Sequence, residues 1–144
     1  MKYGTLTDVL TKIQQMTNQK KCSWTERDTA NIINQLLLAI NFLHSKNICH
    51  RDLKLENIMV DMERNEENSK CNLICKVTDF GFAKAIDPGA KEQISLGTPL
   101  YMSPELALNE EYDFKVDIWA LGVITYSILV GHPPFRGSDK YQTF

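Results

Sequence analysis

The chain has 144 residues, 43% of them hydrophobic and 24% charged, which suits one domain around a single core. A net charge of −2 with no run of four basic residues argues against nucleic acid as a partner, because such binders show a basic patch. The N-terminus MKYGTLTDVL lacks the apolar stretch of a signal peptide, and the longest apolar run, Ile118 to Val130, falls short of the roughly 17–25 residues a membrane helix needs. The run predicts a fully buried core helix. No membrane partner is expected, and the protein reads as intracellular and cytoplasmic.

Thr5 to Gln15 carries Leu6, Val9, Leu10 and Ile13 at helical spacing, which predicts a short amphipathic helix. After the polar connection TNQKKCSW, Thr25 and Asp28 stand as N-cap and third residue of a capping box. The helix that follows puts Ile32, Ile33, Leu36, Leu37, Ile40 and Leu43 on one wide stripe. It is expected to end near Lys46-Asn47, where Asn tolerates a left-handed cap. NIMVD and CNLICKVTDF read as two strands of a β-hairpin, with MERNEENSK as its long solvated turn. From Gly81 to Pro104 no period is sustained, and so long a loop inside a domain is often functional. Helix returns after Pro104 and again from Asp117, before the turn-rich exit GHPPFRGSDK. The fold class is mainly α with a small β-hairpin.

Cys22, Cys49, Cys71 and Cys75 form no C-x-x-C pair, and the three histidines are scattered. That pattern predicts free thiols in a reducing compartment and no structural metal site. Cys71 and Cys75 share one face of the second strand, where sulfur packs as a small hydrophobe.

The stretch CHRDLKLENIMV crowds charges at the join of a helix and a strand. Asp52, Lys54 and Asn57 sit there, and Asp79 sits at the end of the partner strand. Oxygen ligands brought together by a hairpin suit Mg²⁺, which favours carboxylates and phosphate oxygens. A further Asp can accept a proton from a hydroxyl, and a Lys can offset phosphate charge. Together the groups suit metal-assisted phosphoryl transfer. Taken singly, an Asp-Leu-Lys or a D-F-G is more often a plain turn. Order, spacing and flanking strands raise the weight of the set.

Four ordered motifs then carry a resemblance. His50-Arg51-Asp52 with Asn57, Asp79-Phe80-Gly81, Gly97-Thr98-Pro99 followed by Ser103-Pro104-Glu105, and the run Asp117-Ile118-Trp119-Ala120-Leu121-Gly122 resemble the large lobe of a eukaryotic protein kinase. Ser103 replaces the usual Ala of the third motif. The resemblance implies ATP and Mg²⁺ as cofactors and a protein with a Ser or Thr hydroxyl as substrate. It implies that Asp52 is the catalytic base, that Lys54 contacts the transferred phosphate, and that Asn57 and Asp79 hold Mg²⁺. Met59 would contact adenine. His50 and Phe80 would stack as members of a regulatory hydrophobic column, and Asp117 would anchor the catalytic-loop backbone. Arg51 would pair with a phosphate or acid on the activation loop, with Ser95 as a candidate phosphosite. Lys54 and Thr98 match the serine/threonine branch and not the tyrosine branch. YDFKVDIWALGVITYSILVGHPPFRG is most similar to calmodulin- and calcium-dependent kinases, which implies a calcium-binding module as a possible regulatory partner. Glu56 matches an acid that often receives a basic substrate residue. Thr5, however, stands where many members that prefer basic substrates carry Glu, and Ser127 offers no acid nearby, which argues against a preference for upstream arginine.

Against the family pattern, no G-x-G-x-x-G loop and no V-A-I-K lysine precede these motifs. Met1-Lys2-Tyr3 resembles the tail of the hinge between lobes. The expected organisation is thus a kinase-domain fragment over residues 1–144, incomplete at both ends. The family's arginine partner for Glu105 falls in the absent part, which would strand a buried carboxylate at a cost of about 3–5 kcal/mol. The helix around Trp119 would also expose apolar surface. The alternative function is a catalytically inactive lobe that binds a partner, or a fragment of a gene prediction. These residues alone are expected to show little phosphoryl transfer, because positioning supplies most of its rate. A Walker-type NTPase is excluded by the lack of G-x-x-x-x-G-K-[ST].

Overall fold

Residues 4–18, 24–64 and 71–137 are described by a computed structural model. Helix α1 spans Leu6–Asn18 and α2 spans Glu26–Ser45. The N-terminus of α2 is fixed by the expected box: the Asp28 carboxylate accepts from the Thr25 amide at 2.9 Å, and the Asp28 amide donates to the Thr25 hydroxyl. Its other end stops at Asn47, whose φ of 59° is left-handed. The buried seam of α2 is Ile32, Leu36 and Ile40, spaced by four residues. Leu37, expected on that stripe, is 45% exposed, as Leu38 and Phe42 are to a greater degree. The stripe expected from sequence is wider than the face the neighbours cover, because Leu37 lies a further 100° around the helix from Leu36.

Strands β1 (Ile48–Cys49), β2 (Ile58–Arg64), β3 (Cys71–Val77) and β4 (Lys84–Ala85) form two antiparallel pairs. The hairpin pairs Ile58 with Val77 through Arg64 with Cys71. Residues 65–70 of its predicted turn, the side chain of Cys71, and both Cys22 and Met1–Tyr3 lie outside the described residues. The second pair, Ile48 with Ala85 and Cys49 with Lys84, was not legible in sequence, since two-residue strands carry no period. Both free edges near the hairpin root are occupied. The Val60 amide donates to the Gly4 carbonyl, and Thr5 bridges Met59. On the opposite edge, the Gln35 side chain of α2 donates to the Leu73 carbonyl and accepts from the Cys75 amide, each at 2.9 Å. Burial pushes the Cys75 thiol up to about 11.

Helices α3 (Pro104–Ala107) and α4 (Lys115–Val130) complete the order. α4 begins two residues before Asp117, and Gly131 caps its end at φ 86°. The fully buried helix expected here is a half-buried one. Val116, Ala120, Val123, Ile124 and Ile128 are buried, whereas Ile118, Tyr126, Leu129 and Val130 are exposed. A helix apolar all round has more apolar surface than α2 and the Pro99–Tyr101 turn can cover. Trp119 stacks on Phe135 with centroids 5.6 Å apart. Glu105, expected as a buried carboxylate, is partly exposed, so the burial penalty does not apply. The buried group in that motif is Ser103. Its hydroxyl is fully buried with no hydrogen-bond partner among the described residues.

Asp117 ties these elements together from the first turn of α4. One carboxylate oxygen accepts from the His50 amide at 2.9 Å and contacts His44 Nε2 of α2 at 2.8 Å. The other accepts from the Arg51 amide at 2.9 Å. The Cys49 thiol lies 3.5 Å from the same carboxylate, and burial first, then Asp117 itself, pushes that thiol up. Burial pulls the Asp117 carboxyl up, but the hydrogen bonds from His44, His50 and Arg51 prevail and hold it below the usual carboxylate value.

This packing makes stability depend on pH. A lowered folded-state pKa means that Asp117 contributes stability above its unfolded value, near 3.9. That contribution disappears as pH falls through the lower folded value. Asp117→Asn is expected to destabilise the chain by about 1.5–3 kcal/mol at pH 7, with the gap to wild type closing toward pH 2. Equal gaps in thermal melts at the two pH values would contradict this account. Ser103→Ala removes an unsatisfied buried hydroxyl and is expected to raise stability by about 1 kcal/mol, read as a higher urea midpoint; a lower midpoint would show that the hydroxyl has a partner.

Candidate active site

The loop between β1 and β2 is built around one carboxylate. Asp52 is only 4% exposed. Its Oδ1 accepts from the Thr98 hydroxyl at 2.7 Å. Its Oδ2 accepts from Lys54 Nζ at 2.7 Å and from Asn57 Nδ2 at 3.2 Å. Asn57 Nδ2 also donates to the Asp52 carbonyl at 2.9 Å, and Lys54 Nζ donates to Thr98 Oγ1 at 2.9 Å. A base, a cation, an amide and a hydroxyl therefore form one closed network. A carboxylate so surrounded has hydrogen-bond donors on both oxygens and is held in one orientation.

Arg51 reaches this arrangement with φ 67°, a left-handed conformation that costs a non-glycine residue about 1–3 kcal/mol. Asp117 offsets that cost by binding the backbone amides of both His50 and Arg51. Gly97 has φ 114°, and a Cβ there would stand 2.8 Å from the Arg51 carbonyl. Only glycine lets the segment carrying Thr98 approach the loop so closely.

The hairpin brings the second acid alongside. The Asn57 carbonyl accepts from the Thr78 amide at 2.9 Å and the Thr78 hydroxyl at 3.0 Å, so Asp79 follows directly on a residue clasped to Asn57. Asp79 is exposed, with φ 61°, and its Oδ1 accepts from the Gly81 amide at 3.2 Å. His50 Nε2 lies 3.1 Å from the Thr78 carbonyl, and the His50 ring meets Phe80 at 5.1 Å in a tilted contact. Met59 faces away from the core, between buried Ile58 and Val60. The Asn57 amide nitrogen is engaged by Asp52, so its oxygen is the atom that could hold a metal. With the Asp79 carboxylate this makes two hard oxygen donors, which fits Mg²⁺. Among the described residues no group of three or more His, Cys, Asp or Glu could hold a metal. Two protein ligands suit an ion that shares its shell with phosphate oxygens and water.

Arg51, expected opposite an acid or phosphate, donates instead from Nε to the Phe82 carbonyl at 2.7 Å and from a terminal nitrogen to the Tyr112 hydroxyl at 3.1 Å. Ser95 is exposed. Thr98, which the sequence marks as a match to the serine/threonine branch, places its hydroxyl on Asp52. Tyr112 and His44 escape sequence reasoning altogether. No local pattern marks them, because their partners lie 61 and 73 residues away.

Residues 1–144 match the protein kinase domain family. The chain is 44% identical over 129 residues to serine/threonine-protein kinase 33 of Bos taurus, covering 88% of this chain and 26% of that protein. It is 46% identical over 119 residues to serine/threonine-protein kinase DCLK1 of Rattus norvegicus, covering 83% and 26%. Myosin light chain kinase A of Dictyostelium discoideum is 39% identical over 125 residues, covering 87% and 40%. The chain spans about a quarter to two fifths of the length of these curated relatives. By the family match over its whole length and by these relatives, the chain belongs to the protein kinase family and to its serine/threonine type.

Proposed function

We propose that the chain supplies the catalytic loop and metal ligands for phosphoryl transfer from ATP·Mg²⁺ to serine or threonine hydroxyls of proteins. The observation that carries this reading is the Asp52 network. Asp52 is buried, flanked by Lys54 and Asn57, and reachable through the hydroxyl of Thr98. A hydroxyl already occupies one of its oxygens, so the site is shaped to receive a hydroxyl donor. Asp52 would take the proton of the substrate alcohol. Lys54 would turn its ammonium toward the phosphoryl oxygens, and Asn57 and Asp79 would bind Mg²⁺ through oxygen. Bound Mg²⁺ supplies neutralisation of phosphate charge. The finer reading places the chain near calcium- and calmodulin-regulated kinases, with a calcium-binding module as partner. It is supported by the sequence from Tyr112 to Gly137 and by relatives named as myosin light chain kinases.

The test is transfer of labelled phosphate from ATP·Mg²⁺ to a serine peptide. It uses the 144-residue chain alone and joined to an upstream small lobe and further C-terminal helices. Asp52→Asn is expected to lower transfer about 10²-fold or more; full transfer by that variant would remove Asp52 from the chemistry. Asp79→Asn is expected to raise the Mg²⁺ concentration needed for half-maximal transfer, measured by titration. An unchanged requirement would place the metal elsewhere.

A further inference from the structure

We infer that Glu92 is a positioning residue that fastens the activation segment without phosphorylation. The inference rests on the kinase reading of Asp52. Glu92 lies in the loop from Gly81 to Pro104 and holds its partners through both side chain and backbone. Its carboxylate meets Lys84 Nζ of β4 at 2.6 Å, and its side chain is 16% exposed against 42% for Lys84. Its backbone amide and carbonyl both pair with Tyr112, at 3.0 and 2.8 Å. Lys91 and Glu111 form a second, exposed ion pair across the same seam at 3.8 Å.

Tyr112 carries the attachment inward. It is buried, and its hydroxyl donates to the Ile94 carbonyl at 3.1 Å while accepting from Arg51 at 3.1 Å. Arg51 in turn precedes Asp52 and also holds the Phe82 carbonyl. The path runs from Lys84 through Glu92 and Tyr112 to Arg51, and so to the base. The segment is thereby gripped at Phe82, Lys84, Glu92 and Ile94 before it delivers Thr98 to Asp52. A phosphate on Ser95 would be a rival fastening, since it could draw Arg51 away from Tyr112. In the structure a carboxylate already supplies the negative charge, and its cation is Lys84.

Two readouts on the kinase domain containing this chain decide the matter: amide exchange over residues 92–97, and peptide phosphorylation split into kcat and KM. Glu92→Gln is expected to speed exchange and lower kcat about threefold, the size of one partly exposed ion pair. The swap Lys84→Glu with Glu92→Lys is expected to restore both, which a role in packing alone would not allow. Ser95→Ala is expected to leave both unchanged. The inference is overturned if Glu92→Gln leaves exchange as in wild type, if the swap does not rescue, or if Ser95→Ala loosens the segment. Exchange is read without turnover, so a protein that transfers no phosphate would refute the kinase reading while its exchange rates still decide the role of Glu92.

Discussion

The Asp117 carboxylate is the constraint on which the rest depends. It stands on the first turn of α4, is held by His44 from α2, and grips the amides of His50 and Arg51. A carboxylate accepts several hydrogen bonds with its charge intact, and a buried one must do so to be tolerated. The arrangement therefore joins two helices to a loop through a single side chain. It also holds Arg51 in a conformation that the loop would otherwise relax. Asp52 gains its orientation from that borrowed rigidity, since hydrophobic packing alone does not fix a polar loop.

A second consequence concerns charge. Asp52, Lys54, Asn57 and Thr98 hydrogen-bond one another in a closed set. The proposed phosphoryl transfer would require that part of this closed set open. The Lys54 ammonium and the Thr98 hydroxyl are the groups with an alternative partner in a phosphate or an alcohol. Asp79 differs: it is exposed and left-handed, and its carboxylate accepts from the amide of Gly81 on its own segment.

Legibility in the sequence followed the range of the interactions. The capping box at Thr25 and Asp28, the left-handed Asn47 and the hairpin are short-range features, and residues a few positions apart determine them. The local spacing of Asp52, Lys54 and Asn57 was likewise readable. The breadth of the α2 stripe and the burial of α4 differ from what periodicity predicts, because coverage depends on which neighbours arrive. Leu37 and Ile118 are apolar for reasons that periodicity does not record. The β1–β4 pair, the seat of Thr98 on Asp52 and the reach of Tyr112 to Arg51 are long-range contacts. Nothing in either partner's local pattern announces the other.

The hairpin at the root of the site has one more property. A two-stranded ribbon ordinarily presents two rows of unpaired amides and carbonyls, an invitation for another chain to add a strand. Here the Gly4–Thr5 backbone takes the β2 side, and the amide head of Gln35 imitates a strand against β3. A single glutamine thus both docks a helix and closes a border. Sheet growth is blocked next to the candidate site, so crowded chains would find no template for aggregation at that point.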